Sequence, residues 1–440
     1  MREISTNNSP KQIMGYSPTE YKRFNKHAWI VLMSFSILYC ILYCGRQNIS
    51  YVMPVMMAEE GWTELELGIL SSVLFWTYGM GHLINGRLGE IFGLNRFIVV
   101  GIILSAVTNI FIGFQESLVV IAVLWGINGY FQSMLWSPGL ALLANWWPSK
   151  KRGFATGVAN SFSGLGQIFA ALAVMLGFSL LPEKGWSSGF IIPGIVMIIA
   201  ALIYVSVCKD SPEKLGLKPY VDPDVQMNEQ DDELDQIVKE KGRLYPYIFL
   251  FKQWRFDLWL IIVAGSSIAR YGLMTWIPTY YINEFGVDVK EGILGTVLLP
   301  LGMAFGALIV PWLSDKLFAQ NRIPMVIICA VASGATVFAF MGVGPGLAAG
   351  TLLFTAGFFI YAINGLVWVY ATDVGGRAFS GTAAGVLDCF AYLGAGVQAI
   401  FFGSILTNSG DWNFVFLAIV VVCGIMVVAA LIAGSGIKKK

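Results

Sequence analysis

The chain has 440 residues, of which 56% are hydrophobic and 12% charged, and its 28 basic side chains nearly balance 27 acidic ones. Soluble domains carry about 25% charged residues, so this chain has roughly half the charge that covers a water-facing surface. The composition excludes a soluble globular enzyme and a disordered chain, and the lack of a basic excess argues against nucleic-acid binding.

Apolar runs of about 20 residues, each long enough to cross roughly 30 Å of hydrocarbon, recur twelve times. We therefore predict an all-α integral membrane protein, with transmembrane helices at 29–57, 66–89, 95–114, 118–145, 153–180, 187–208, 257–283, 291–313, 323–342, 346–371, 379–407 and 412–434. The polar stretch 209–256 is predicted to link two six-helix bundles, 29–208 and 257–434, with tails at 1–28 and 435–440. The N-terminus lacks the pattern of a cleaved signal, so the first run is expected to remain.

Most basic residues fall on one side of the predicted membrane. Twenty-four lie in the tails, the linker and the loops that follow even-numbered helices, whereas only Lys184 and Lys290 lie opposite. Because Lys and Arg are retained on the cytoplasmic side, both termini are predicted to be cytoplasmic. The membrane is expected to be a bacterial inner membrane. Two basic residues remain, Arg46 and Arg270, and both lie inside apolar runs.

The two halves repeat each other. The first helix reads YCGRQNISYVMP and the seventh SIARYGLMTWIP, and in each the Arg precedes a Pro by eight residues. The fifth begins GFATGVANSFSGLG and the eleventh GTAAGVLDCFAYLG, which are identical at seven of fourteen positions. Both matches need a shift of 224 to 228 residues, which indicates one duplication of a six-helix unit.

Arg46 and Arg270, at symmetric positions, predict a cationic clamp between the halves. An Arg at the centre of a span costs about 2.5 to 3.5 kcal/mol on insertion scales, so it persists mainly beside a cavity or a partner. Its planar fork of donors suits phosphate, carboxylate or sulfonate oxygens. The alternative is internal pairing, but Asp388 is the one acidic residue well inside a predicted span and cannot neutralise both Arg residues and His82.

Helical spacing adds neighbours to this clamp, since Tyr39, Tyr43 and Arg46 share one helix face. Tyrosine hydroxyls can bond ligand oxygens, although simple packing explains Tyr39 equally well. The expected substrate-binding residues are Arg46, Arg270, Tyr39, Tyr43, His82, Gln132, Trp136, Tyr271 and Tyr392. His82 and Asp388 are also candidates for a proton-coupling site, and His82 could instead be a packed core residue.

Charged residues near two corresponding loops predict a gate-side charge network: Glu90 and Arg96 after the second helix, and Asp315 and Arg322 after the eighth. The six cysteines lie mostly in apolar runs without metal-binding spacing, which favours packing roles. The sequence contains no nucleophile motif, metal cluster or phosphate loop. We therefore expect neither an enzyme nor a resident cofactor.

At this level the chain resembles the organophosphate:phosphate antiporter family of the major facilitator superfamily, with some features of the sugar-phosphate exchangers. The resemblance covers nearly the whole chain and is carried by the Arg of the first helix together with NGYFQSMLWSPG, NWWPSKKRG, KDSPEKLGL, RYGLMTWIPTYY, SDKLFAQNR and SGTAAGVLDCFAYLGAG. It implies two six-helix repeats with a site between them. It also implies that Arg46 and Arg270 bind substrate, and that Asp388 corresponds to an Asp of the exchanger branch.

Three functions remain open from the sequence. The first is a secondary transporter that moves a small organic anion, most simply a sugar phosphate or another organophosphate, by alternating access in exchange for inorganic phosphate. The second is a proton-coupled symporter of an organic carboxylate or sulfonate. The third is a transporter-like membrane sensor of sugar phosphate. The expected partners are the anion and membrane lipid, with no nucleic acid, and the protein is expected to be a monomer.

Overall fold

The computed structural model describes residues 16–218, 240–242, 244–318 and 321–435, and these are predominantly helical. They contain twelve helical segments long and apolar enough to cross a membrane, which confirms the predicted fold class. We number them span 1 to span 12: Pro18–Glu60, Glu64–Asn85, Leu94–Ile112, Leu118–Ala144, Lys151–Leu180, Pro182–Val207, Trp254–Phe285, Val289–Phe318, Ile323–Phe340, Leu347–Ala371, Thr382–Ser409 and Trp412–Gly434.

The α-helices that build these spans do not match them one to one. They are Pro18–Leu42, Asn48–Glu60, Glu64–Phe92, Leu94–Ile112, Leu118–Gln132, Trp136–Ala144, Ser149–Leu180, Ser188–Val207, Tyr245–Phe251, Trp254–Phe285, Val289–Gly295, Leu298–Phe318, Ile323–Phe340, Leu347–Ser409 and Trp412–Gly434. Spans 1, 4 and 8 each consist of two α-helices, and spans 10 and 11 share one helical run. The helix Tyr245–Phe251 lies in the region predicted to be a linker.

Span 1 begins eleven residues before the apolar run that predicted it. Ser17 caps the helix by accepting a hydrogen bond from Glu20 N, the Glu20 side chain accepts from Ser17 N, and Pro18 occupies the first helical position. This is a capping box, which satisfies amide groups that a helix start leaves without partners. Hydropathy locates the part of a helix that suits the membrane, whereas capping chemistry decides where the helix begins.

Span 1 is broken in its middle, which the sequence interpretation did not anticipate. The first helix ends at Leu42, a 3-10 turn covers Tyr43–Gly45, and the helix resumes at Asn48. Arg46 lies in the break with φ −126° and ψ −39°, outside helical geometry. Its repeat counterpart Arg270 lies within the uninterrupted helix Trp254–Phe285. The two arginines therefore occupy equivalent positions of the repeats but have different backbone conformations.

The two halves are in close contact near the loops that join spans 1 to 2 and 11 to 12. Ser72 Oγ donates to Gly396 O at 2.6 Å, across spans 2 and 11. A Cβ built on Gly68 would overlap Ala399 O, so the backbones are in contact there. Small residues permit such close approach between membrane helices. This membrane face is closed, and the space between the halves extends toward the opposite face.

Candidate functional site

A cavity of about 940 Å³ lies between the two halves. Its walls reach Arg152 at the start of span 5 and Tyr247 in the linker region, so it extends to the membrane face that carries these segments. Eight of the residues expected to bind or couple substrate line it: Tyr39, Tyr43, His82, Trp136, Arg270, Tyr271, Asp388 and Tyr392. Residues that lie far apart in the sequence, from both repeats, therefore face one space.

Arg46 lies directly behind this wall and is only 3% exposed. Its Cζ is 4.1 Å from the ring centroid of Tyr43 and 4.8 Å from that of Tyr78, both of which line the cavity. Rings at this distance stabilise a cation through their negative faces. None of its three guanidinium nitrogens donates a hydrogen bond to a protein atom within the described residues.

Arg270 faces the cavity directly and is 5% exposed. Its Cζ lies 4.6 Å from the Tyr271 ring centroid and 4.3 Å from that of Tyr361. Its Nε and Nη2 atoms are buried without a hydrogen-bond acceptor among the residues that the structure describes. Each repeat thus presents one guanidinium held between two tyrosine rings, with donors left over.

No carboxylate lies within 4 Å of either guanidinium in the described parts of the chain, whereas Arg322 is paired with two. Buried charges are normally paired, because desolvating an ion costs several kcal/mol. Aromatic rings compensate only part of that cost. The arrangement is therefore electrostatically complementary to an anion with several acceptor oxygens.

His82 of span 2 and Asp388 of span 11 both line the cavity and meet at the interface of the two halves, with 3.8 Å between Nδ1 and Oδ2. His82 Nδ1 also lies 3.0 Å from Ser137 Oγ, and the imidazole packs 4.4 Å from the Tyr78 ring. Tyr392 packs 4.6 Å from Tyr78 and completes this wall. These contacts join titratable groups of the two halves in one polar cluster.

Gln132 does not line the cavity, in contrast to its predicted role as a substrate contact. It is fully buried, and its Nε2 donates to Ser105 Oγ at 2.8 Å and to Leu42 O at 3.3 Å. Its neighbour Trp136, four residues later, does face the cavity and stacks on Tyr39 at 4.7 Å. The break after Gln132 separates these two side chains, because Trp136 begins a new helix.

Ion pairs are observed at the gate-side residues that follow the eighth helix. Arg322 forms ion pairs with Asp315 and, at 3.6 Å, with Asp373. Arg96 is exposed at the start of span 3, and the side chain of Glu90 lies outside the described residues. Asp315 and Arg322, the two gate-side residues after the eighth helix, thus form an ion pair. Arg322 has a second carboxylate partner, Asp373, which was not predicted.

Sequence reasoning also missed Tyr78 and Tyr361, the second ring at each arginine. Tyr78 precedes His82 by four residues and so shares its helix face, which was a usable signal. Tyr361 comes from span 10, and only the folding of that span against span 7 places it beside Arg270. Among the described residues, no three His, Cys, Asp or Glu side chains are placed to hold a metal ion.

Comparison with known proteins agrees with this architecture. A family model described as Major Facilitator Superfamily matches residues 35–399. A probable hexose phosphate transport protein of Chlamydia pneumoniae is 28% identical over 430 residues, which cover 93% of this chain and 92% of that protein. The glycerol-3-phosphate transporter of Bacillus subtilis is 27% identical over 421 residues, with coverage of 93% and 92%.

Among solved structures, a bacterial homolog of the human lysosomal transporter Spinster, crystallised in an inward-facing and unoccupied conformation, superposes with a TM-score of 0.73. It is 17% identical and covers 95% of this chain and 97% of its own, so the likeness concerns the fold alone. The chain belongs to the Major Facilitator Superfamily and, within it, to the organophosphate:phosphate antiporter family.

Proposed function

We propose that the protein is a secondary transporter of a small organic anion, most simply a sugar phosphate or another organophosphate. The observation that carries the proposal is the pair of buried guanidiniums, Arg46 and Arg270, which have unused donors and no carboxylate within 4 Å among the described residues. A phosphate monoester brings about 1.5 to 2 negative charges and several acceptor oxygens. It therefore matches both the charge and the hydrogen-bonding capacity of the site. The hexose phosphate and glycerol-3-phosphate relatives support the same substrate class.

Transport would proceed by alternating access. The anion first meets Arg270, which lines the cavity, and it reaches Arg46 when the covering ring of Tyr43 or Tyr78 turns aside. Binding to arginines of both halves favours a conformation in which the halves close around the anion, because a ligand stabilises the state it contacts best. The opposite face, sealed at Gly68 and Ser72, would then open.

Exchange for inorganic phosphate follows from the same charges. The empty carrier would have to pass through a closed state with two adjacent guanidiniums desolvated and unneutralised, which is costly. A bound phosphate or phosphate ester removes that cost. We therefore expect the halves to reorient when either anion is bound and rarely when the site is empty, which is the property that makes an obligate antiporter.

The charge distribution along the chain favours cytoplasmic termini. In that orientation the cavity, which reaches Arg152 and Tyr247, opens to the cytoplasm, and the contact at Ser72 and Gly396 seals the outer face. The protein would be a monomer in a bacterial inner membrane, in an inward-open state. This accords with the inward-facing conformation of the solved Spinster homolog.

Uptake by proteoliposomes tests the proposal. Vesicles preloaded with phosphate should take up labelled glucose 6-phosphate, and vesicles without internal phosphate should not. Arg46→Ala and Arg270→Ala should each abolish uptake, whereas substitution of Arg23, an exposed arginine that does not line the cavity, should leave it near the wild-type rate. Uptake that persists in both alanine variants would refute the role of the two arginines. High-affinity binding without any flux would favour a sensor.

A second function, anion symport with protons, is favoured by one observation. His82 and Asp388 face each other at 3.8 Å across the interface of the halves, where protonation would alter their attraction. In that case uptake should follow an imposed pH gradient and need no internal phosphate. Asp388→Asn or His82→Gln should remove the gradient dependence. Exchange that is unchanged by a pH gradient in the wild type would exclude this second function.

A further inference from the structure

The break in span 1 exposes backbone carbonyls that the helix itself does not satisfy in the usual way. In a continuous α-helix, Leu42 O would accept from the amide of residue 46 and Gly45 O from the amide of residue 49. Here Arg46 N donates to Tyr43 O at 3.1 Å, and Leu42 O keeps only the bond of the 3-10 turn. A buried carbonyl without a donor is costly, because it has lost its hydrogen bonds to water. The break is therefore stable only if other groups supply donors to Gly45 O and add to the bonding of Leu42 O.

Side-chain amides from spans 3 and 4 supply them. Asn128 Nδ2 donates to Gly45 O at 2.7 Å, Asn109 Nδ2 donates to the same oxygen at 3.2 Å, and Gln132 Nε2 donates to Leu42 O at 3.3 Å. These oxygens flank the 3-10 turn, and Gly45 immediately precedes Arg46. The amides therefore hold the backbone at the point where the arginine leaves it.

A serine ties these amides to one another. Ser105 Oγ donates to Asn128 Oδ1 at 2.6 Å and accepts from Gln132 Nε2 at 2.8 Å. We call Ser105, Asn109, Asn128 and Gln132 the amide cluster; all four are 0% exposed. A connected polar network in a low-dielectric interior is rigid, because moving one member leaves others unpaired. The cluster thus has a fixed geometry to impose on span 1.

The contact between the cluster and the backbone leaves no free space. A Cβ built on Gly45 would lie 2.9 Å from both Asn109 Nδ2 and Gln132 Nε2, and 2.6 Å from Met197 Sδ. A side chain at this position would push the amides away from the carbonyls. The glycine is thus required for the amides to reach the backbone, and the turn cannot shift toward spans 3 and 4.

We propose that the amide cluster positions Arg46 for its anionic substrate, by fixing the non-helical backbone of span 1 from behind. The inference rests on the proposed function and assigns a role to Asn128 and Gln132, neither of which reaches the cavity. Arg270 needs no such support, because it lies within the continuous helix Trp254–Phe285. The two arginines of the clamp are therefore held by different means.

A coupling experiment on the purified full chain tests this role. The dissociation constant of glucose 6-phosphate is measured for Asn128→Leu in three backgrounds: wild type, Arg46→Lys and Arg270→Lys. We expect Asn128→Leu to weaken binding about tenfold in the wild type and in Arg270→Lys, the effect of one lost hydrogen bond. In Arg46→Lys the factor should fall below about twofold, because the group that the cluster positions is already altered.

Two variants guard against a merely structural effect. Gln132→Met removes the donor to Leu42 O with little change in volume, and should repeat the pattern if Asn128→Leu fails to fold. Asn95→Leu is the matched control, because Asn95 is a buried amide in the same bundle that accepts from Tyr204 OH at 2.9 Å and does not bond the break. Its dissociation constant should stay within about twofold of wild type in every background.

Equal weakening in all three backgrounds, or an equal effect of Asn95→Leu, would overturn the inference and leave the cluster a packing feature. A wild-type protein that binds neither glucose 6-phosphate nor inorganic phosphate would overturn the proposed function, and this inference with it. The two failures are distinguishable. Failure of this inference is seen only in the variants, while the wild type still binds the anions; failure of the proposed function is seen in the wild type itself.

Discussion

Replacing Arg270 by methionine should make the ligand-free protein more stable while it removes binding. The guanidinium is 5% exposed, and its Nε and Nη2 atoms have no hydrogen-bond acceptor among the described residues. Methionine has a similar unbranched shape and needs no polar partner. An anion-binding site leaves these donors unpaired when it is empty, which lowers the stability of the ligand-free protein. Such a conflict between stability and function is common at binding sites.

The expected change in the free energy of unfolding follows from two contributions that the substitution removes: the unpaired donors and the cation–π contacts. Two buried donors without partners cost about 1 to 3 kcal/mol each, or about 4 kcal/mol together at mid-range. The rings of Tyr271 and Tyr361, at 4.6 and 4.3 Å from Cζ, return about 1 kcal/mol each as cation–π stabilisation. The difference, about 2 kcal/mol, corresponds to a rise in Tm of about 2 °C for a chain of this size.

Differential scanning fluorimetry of the purified protein measures this shift. Arg270→Met should melt about 2 °C above the wild type without ligand, and inorganic phosphate should no longer raise its Tm. Arg23→Met, at an exposed arginine, serves as the matched control and should change neither value. A ligand-free Tm several degrees below that of the wild type would refute the reasoning, because it would mean that Arg270 has a stabilising partner.

Other substitutions test separate contacts. Arg46→Lys should raise the KM for glucose 6-phosphate uptake at least tenfold, because lysine cannot form the paired hydrogen bonds of a guanidinium; an unchanged KM would contradict this. Gly68→Val should separate spans 2 and 11, whose backbones already meet at Ala399 O, and so expose a cysteine introduced at Ser72 to a membrane-impermeant thiol reagent added outside. Protection equal to that in the Ser72→Cys single variant would count against the seal. Trp146→Phe should remove the indole hydrogen bond to Lys209 O, of 3.0 Å, and increase protease cleavage near residue 209 without altering KM; unchanged cleavage would show that this bond does not hold the segment.

Much of the fold could be predicted from local composition. Spans must bury apolar side chains over a fixed membrane thickness, so hydropathy alone identified twelve of them. The first helix begins before the predicted span because Ser17 and Glu20 cap it in a polar stretch that hydropathy ignores. The break at Tyr43–Gly45 was invisible for a different reason: its donors, such as Asn128, come from other spans.

The sequence identified those residues of the candidate site whose charge makes them unfavourable inside a membrane. Arg46, Arg270 and Asp388 stand out because charged groups rarely occur inside a span. Gln132 was also expected to bind substrate, but it does not line the cavity and its amide donates to Leu42 O. Sequence spacing gives the face of a regular helix, and it fails where a helix is interrupted.

By itself the sequence determined that this is a membrane protein, the number of its spans, its internal duplication and the two arginines that face no lipid. Local apolarity and charge decide these features, because the bilayer penalises each misplaced polar group directly. Only the tertiary structure decided that Tyr361 joins Arg270 and that the amide cluster holds Arg46. Those contacts depend on how spans pack and bend, which is a property of pairs of segments and not of any one of them.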